Sequence, residues 1–129
     1  MNIVQIEENV KQLIHKIAQD ELNKQDFIYE LLLAYGHRSQ TIGRVRDGER
    51  NLAEAKENTV FWKRQIYFKI AKQHDLHGLI DQMKNEKRTE SNKIRFLIVT
   101  DFKTLFAEDT KTQDTLDVPF GELAKKFDF

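Results

Sequence analysis

The sequence contains no cysteine, one proline and five glycines among its 129 residues. A chain without cysteine can form neither a disulfide framework nor a zinc site built on thiolates, and it suits a reducing compartment. The scarcity of proline and glycine leaves no flexible linker between separate units. We therefore expect one domain over residues 1–129, located in the cytoplasm.

Long apolar runs and an excess of charge of one sign are also absent. No stretch is apolar for long enough to span a membrane, and the N-terminus lacks the pattern of a signal peptide. Lysine and arginine together number 21, as do aspartate and glutamate, so the formal net charge is zero. A neutral chain has no global field that attracts nucleic acid, and any DNA contact must come from a local basic patch.

Helix-type and strand-type patterns alternate along the chain. Apolar residues at helical spacing predict helices over residues 3–17, 26–35 and 74–84, and a short final helix over 119–126. Aromatic and β-branched residues predict strands within residues 60–70, 94–100, 104–107 and 116–118. The polar run 85–93 is expected to be a loop or a fraying helix end. Interleaved strands and helices indicate an α/β fold with a mixed sheet flanked by helices.

Residues 39–46 fit two different structures. Ser39 could cap a short helix, or residues 41–46 could form a strand that turns at Asp47-Gly48. The helix would resemble the recognition helix of a repressor-type helix-turn-helix. We favour the strand, because a three-helix repressor fold would leave the strand-rich second half of the chain unexplained.

An acid and a lysine flank the most aromatic stretch of the chain, NTVFWKRQIYFKIA, which covers residues 58–71. Glu57 stands directly before it and Lys69 lies near its end. This spacing is the outline of a restriction-type nuclease site, in which carboxylates hold Mg²⁺ and a lysine stabilises charge on phosphate. Two residues before Lys69, where such a site needs a second acid, stands Tyr67, which is neutral near pH 7.

Longer segments resemble one protein family. IRFLIVTDFKTLFAEDTKTQDTLDVPFGELAKKFDF, preceded by FIYELLLAYGHRSQ and VFWKRQIYFKIA, resembles the N-terminal region of type II (IIG-like) restriction–modification enzymes. These bacterial enzymes fuse an adenine-specific DNA methyltransferase to a nuclease-type domain. The resemblance covers residues 26–129 and implies a restriction-endonuclease-like fold carrying a PD-(D/E)xK site.

The resemblance also implies roles for individual residues. Glu57 falls where the family has its first acid, Lys69 where it has its lysine, and Glu30 where it has an accessory glutamate. Glu57 and Glu30 would then be the ligands of Mg²⁺, and Lys69 would complete the catalytic set. Tyr67 falls where the second metal-binding acid should be, so the nuclease site is expected to be degenerate.

The resemblance further implies domains that this sequence does not contain. The chain has no glycine-rich loop and no Asn-Pro-Pro-aromatic motif, so it is not expected to bind S-adenosylmethionine itself. Its apolar end, Phe127-Asp128-Phe129, is typical of a fragment of a longer methyltransferase. The expected partners are DNA and the C-terminal methyltransferase and target-recognition domains of the same chain, with no membrane.

A local basic cluster provides candidates for DNA contact along a phosphate backbone. Its members are Arg38, Arg44, Arg46, Arg50, Lys63 and Arg64. Asp47 and Glu49 interrupt the cluster, and a plain solvated face is the alternative. Two other functions stay open at this point: a helix-turn-helix-like DNA-binding module, and a non-catalytic docking domain for the methyltransferase.

Overall fold

The computed structural model describes residues 3–23, 26–46, 59–62, 64–71 and 75–126. Its helices are α1 (Ile3–Ala18), α2 (Phe27–Ala34), α3 (Ser39–Arg46), α4 (Leu76–Asn85), α5 (Lys87–Ser91) and a final 3₁₀ helix (Phe120–Lys126). Its strands are β1 (Thr59–Trp62), β2 (Ile66–Ile70), β3 (Phe96–Thr100), β4 (Thr104–Asp109) and β5 (Thr115–Pro119). None of the helices in this described part is long and apolar enough to cross a membrane.

The five strands form one mixed sheet in the order β1-β2-β3-β4-β5. Strands β2 and β3 are parallel, and α4 and α5 lie between them in the chain. The other three neighbouring pairs are antiparallel. The register aligns Thr59 with Lys69, and Tyr67 with both Phe61 and Leu97. The predicted α/β class with a mixed sheet flanked by helices is confirmed.

Both faces of the sheet are covered, because alternate side chains of each strand point in opposite directions. One face, which we call the α2 face, packs against α1, α2, α3 and the final 3₁₀ helix through residues such as Trp62 and Phe68. The other, the α4 face, packs against α4 through Phe61, Tyr67 and Leu97. Any side chain of the sheet can therefore be assigned to one face or the other.

The segment 39–46 is a helix, so the strand that we favoured there is wrong. A helix places Ile42 and Val45 on one side, where they are 2% and 0% exposed in the α2-face core. A strand would have pointed these two residues to opposite faces, because their separation is an odd number. Burial of both side chains therefore requires helical geometry.

A tight turn separates α2 from α3. Gly36 has φ of 98°, a left-handed conformation that glycine adopts without strain. The Gly36 N–H donates to the Leu33 carbonyl at 3.0 Å, and the His37 N–H donates to the Leu32 carbonyl at 3.2 Å. These two bonds make a Schellman motif, which satisfies the last carbonyls of α2 and fixes where α3 begins.

The remaining helices follow the predictions with small changes. The predicted helix over 74–84 is α4, which Asp75 caps by accepting the Gly78 N–H at 2.9 Å. The polar run 85–93 contains the short helix α5, where Thr89 Oγ1 donates to the Met83 carbonyl at 2.5 Å. The predicted helix over 26–35 is α2, and Asp26 directly precedes it, although the Asp26 side chain makes no capping hydrogen bond to that helix.

Candidate functional site

The centre of the predicted nuclease site is a fully buried tyrosine. Tyr67 is 0% exposed on the α4 face, and its ring meets Phe61 edge-on with centroids 4.8 Å apart. Ile80 and Met83 of α4 belong to the same apolar cluster. The phenol hydroxyl donates a hydrogen bond of 2.6 Å to Glu86 Oε2. The position where the predicted nuclease site needs a metal-binding acid is therefore part of the hydrophobic core.

Glu86 is the acid that the structure brings to this position, and the sequence analysis missed it. It lies 19 residues after Tyr67 in the chain, directly after α4. Lys84 Nζ, 3.0 Å from Glu108 Oε2, holds the same end of α4 over the sheet. A single carboxylate bonded to a phenol offers little of the oxygen-rich coordination that Mg²⁺ requires. The only indication of the Tyr67–Glu86 contact in the sequence was the position of Glu86, an acid at the end of a helix that had to cover β2.

Lys69 lies on the same face as Tyr67, two residues further along β2. Its Nζ is 5.5 Å from the centroid of the Tyr67 ring, within the range of a cation–π contact. The side chain lines an open cavity of about 340 Å³ together with Asp75, Gly78 and Gln82. The predicted lysine therefore reaches a solvent-filled recess at the N-terminal end of α4.

Glu30 does not share this recess with Lys69. It lies on α2, in a separate groove that Asn9, Gln12 and Lys16 of α1 also line. Because α2 covers one face of the sheet and Lys69 points from the other, the sheet stands between the two side chains. The structure therefore gives Glu30 no position from which it could bind a metal ion held near Lys69.

Glu57, the other predicted metal ligand, lies outside the described residues. The described chain resumes at Thr59, whose Cα is the register partner of Lys69. No group of three histidine, aspartate or glutamate side chains suited to a metal ion occurs among the residues that the structure describes. The structure therefore separates Lys69 from Glu30, and the place of Glu57 beside Lys69 stays a prediction.

Several predicted DNA-binding residues lie in two turns at one end of the sheet or on the helix that follows one of these turns. Arg38 in the α2–α3 turn, Arg44 on α3 and Arg64 in the β1–β2 turn are all exposed. The His37 and Trp62 rings, with centroids 5.6 Å apart, bring the two turns together. Arg50 and Lys63 lie outside the described residues, as does the side chain of Arg46.

The structure adds Lys93 to this group. The Arg64 N–H donates to the Asn92 carbonyl at 2.9 Å, which holds the loop after α5 beside the β1–β2 turn. Lys93 follows Asn92 and is exposed. We call Arg38, Arg44, Arg64 and Lys93 the basic end. Glu90 on α5, three residues before Lys93, is an exposed acid close to it in the sequence.

Arg95 also lies at this end of the sheet, directly before β3, but its charge is paired with that of Asp109. Its Nη2 lies 3.3 Å from Asp109 Oδ2. Burial acts to raise the pKa of Asp109, but hydrogen bonds from the Lys111 N–H and from Arg95 outweigh it and hold the pKa below its ordinary value. Asp109 is therefore ionised at neutral pH and keeps Arg95 paired, so Arg95 does not count toward the basic end.

Comparison with known proteins gives two matches over the whole chain. The model of the family described as "MmeI, N-terminal domain" matches residues 1–129. The chain is also 34% identical over 129 residues to DNA methyltransferase A of Bacillus subtilis (strain 168). The alignment covers 100% of this chain and 14% of that protein, so the chain corresponds to a small part of its relative. No solved structure matches the chain.

Proposed function

Because the chain belongs to the MmeI N-terminal domain family, from type IIG restriction–modification enzymes, we propose that it engages DNA for a methyltransferase. In this proposal the domain acts in the bacterial cytoplasm, and its Mg²⁺-dependent nuclease site is degenerate. Its partners are DNA and the methyltransferase and target-recognition domains of the same polypeptide. The family resemblance expected from the sequence is confirmed by both matches.

The buried Tyr67 is the observation that carries the proposed degeneracy of the nuclease site. A nuclease of this type uses Mg²⁺ to polarise the phosphate and to generate hydroxide, and one ion needs several oxygen ligands. At Tyr67 the chain offers a neutral phenol whose hydroxyl is engaged with Glu86 at 2.6 Å. Lys69 lies in an open recess beside Asp75, whereas Glu30 is on the other side of the sheet and cannot complete a metal site with it.

The basic end supports the engagement of DNA. Exposed arginine and lysine side chains that neutralise phosphates release counterions, which provides affinity without reading sequence. Arg38, Arg64 and Lys93 come from three different loops that the fold holds together. The net charge of the whole chain is zero. Attraction of DNA must therefore come from a local positive patch such as the basic end.

The proposed degeneracy of the Mg²⁺ site is tested by calorimetry and by a nicking assay on supercoiled plasmid. We expect no saturable heat on titration of Mg²⁺ or Mn²⁺ into the protein, and no nicking in the presence of either ion. Lys69→Ala should leave both results unchanged. Saturable metal binding together with nicking that Lys69→Ala abolishes would contradict the proposed degeneracy.

The proposed DNA contact at the basic end is tested by fluorescence anisotropy of a labelled duplex at a series of salt concentrations. We expect Arg38→Ala combined with Arg64→Ala to weaken binding about tenfold at low salt and to reduce the salt slope by about two. Lys103→Ala is the matched control, because Lys103 is exposed in the β3–β4 turn at the opposite end of the sheet. An equal effect of the two changes would contradict a DNA contact at the basic end.

A further inference from the structure

We propose that α2, the turn 35–38 and α3 form a helix-turn-helix-type unit that places α3 in the major groove of duplex DNA. This inference rests on the proposed function, because it names a surface of this domain that would contact bases in addition to the target-recognition domain. The two helices are separated by four residues that include the left-handed Gly36. A short glycine-containing turn between two helices is the framework of such units.

The buried side of α3 packs in the core, which holds the exposed side of the helix in a fixed position. Ile42 and Val45 are buried in the α2-face core, in the same cluster as Leu31 and Leu32 of α2. The Schellman bonds at the end of α2 fix the chain between the helices. A recognition helix must be held by its scaffold so that its exposed side chains meet the bases in a fixed register.

The outward side of α3 carries side chains suited to reading bases. Ser39, Gln40 and Arg44 are exposed, and Gln40 and Arg44 share one face at a separation of four residues. Glutamine pairs with adenine and arginine with guanine through two hydrogen bonds each in the major groove. No acid occurs between residues 36 and 46, so the segment is positive along its whole length.

Gly43 gives an independent indication that something approaches this surface closely. It lies in the interior of α3, where glycine lowers helix stability relative to alanine. A Cβ built at Gly43 meets no atom of the described chain within 4 Å, so internal packing does not require a glycine there. Close approach of a partner beside Gln40 would explain the missing side chain.

Phosphate contacts are available on the flanks of this surface. Arg38 immediately precedes α3, and Arg64 is brought close to the turn by the contact of His37 with Trp62. Duplex DNA is the partner whose charge fits, since phosphates lie on both sides of the groove that receives a helix. This arrangement assigns positioning to Arg38 and Arg64, and base reading to Gln40 and Arg44.

Selection from a duplex library with a randomised segment, followed by sequencing of the bound fraction, tests the inference. The unaltered protein should enrich particular base pairs. Gln40→Glu changes charge but hardly any shape, and should weaken binding at least about fivefold and replace the preferred base at one position. Arg44→Ala should remove a preference for guanine, whereas Arg38→Ala should weaken all sequences alike. Lys103→Ala serves as the control and should change nothing.

A second variant tests the close approach itself. Gly43→Gln adds a neutral, helix-compatible side chain to the outward surface, and should weaken DNA binding about tenfold without lowering the unfolding midpoint. Unchanged affinity and base preference in Gln40→Glu, Arg44→Ala and Gly43→Gln would overturn the inference while DNA engagement by the basic end still stood. Failure of the unaltered protein to bind any duplex would overturn both proposals.

Discussion

Tyr67 has a structural role at the position where the proposed nuclease site would need an acid. Its ring fills space between Phe61 and α4, and its hydroxyl is satisfied by Glu86. A buried phenol with a hydrogen-bond partner is stable in an apolar layer, whereas an ionised carboxylate at the same depth needs a metal ion or a charged partner. An acid at the position of Tyr67 would therefore need a bound metal ion to offset its charge, and a site of this kind would lose or gain the acid and the metal ion together.

Substitutions at Tyr67 should measure the contribution of its hydroxyl to stability and the cost of placing an acid at this depth. Tyr67→Phe removes only the hydroxyl and should lower the free energy of unfolding by about 0.5–1.5 kcal/mol. Tyr67→Glu restores an acid of the family pattern but buries a charge beside Glu86, and should lower it by at least about 3 kcal/mol. Urea denaturation measures both. A Tyr67→Glu variant as stable as the unaltered protein would show that this position is not a closed apolar site.

Asp109 should make stability depend on pH in the acid range. Because the folded protein holds the pKa of Asp109 below its ordinary value of 3.8, its contribution is present above that value and is lost as pH falls through the folded pKa. Free energies of unfolding measured across this range should fall more steeply in the unaltered protein than in Asp109→Asn. Parallel curves for the two proteins would contradict the role given to Arg95 and the Lys111 N–H.

At the scale of elements, the helix α3 shows what local patterns leave undecided. Residues 41–46 include Thr41, Ile42 and Val45, whose β-branched side chains suit a strand, and the strand was favoured because a three-helix repressor fold would not explain the strand-rich second half of the chain. The decisive requirement was burial of both Ile42 and Val45 against α2, which is a tertiary demand. By contrast, β3 and α4 were predicted correctly because a continuous apolar run and a helical period each leave few alternatives.

Two glycines in helices should respond oppositely to alanine. Gly43→Ala should raise the free energy of unfolding by about 0.5–1 kcal/mol, because the new methyl group meets no atom of the described residues within 4 Å. At Gly78, a Cβ would collide with the carboxylate of Asp75, which caps α4. Gly78→Ala should therefore displace the cap and be neutral or destabilising, since a lost cap costs about 1 kcal/mol. Thermal denaturation monitored by circular dichroism compares the two.

The Asp75→Ala background provides the control for Gly78. Once the capping carboxylate is gone, the collision is gone too, and Gly78→Ala should then stabilise α4 by about 0.5–1 kcal/mol. The difference between the two backgrounds measures the coupling between Gly78 and the cap. Equal effects of Gly78→Ala with and without Asp75 would show that the helix accommodates the methyl group in another way.

On the scale of the whole molecule, the sheet decides which predicted site residues can meet. The sequence predicted the class, the strands and the position of Lys69 from local patterns and the family resemblance. It could not place Glu30, because the face on which α2 packs depends on the whole topology. Nor could it predict the contact of Glu86 with Tyr67, which depends on how α4 lies across β2.

The two cores on either side of the sheet should unfold together. Met83→Ala opens a cavity on the α4 face and should lower the free energy of unfolding by about 2–4 kcal/mol. Trp62, the single tryptophan, lies in the core of the other face and reports on it by fluorescence. Fluorescence and far-ultraviolet circular dichroism should shift to the same new midpoint. Separate transitions would show that the faces are independent.

The β1–β2 hairpin carries Arg64 at its turn and Lys69 five residues further on, about 16 Å along the extended chain. Under the proposed function, this separation lets the two ends of one hairpin evolve at different rates. If the proposal holds, substitutions that remove acids around Lys69 would abolish cleavage without changing the surface that contacts DNA. A member of the family could then lose cleavage in one step and keep the domain for contact with DNA.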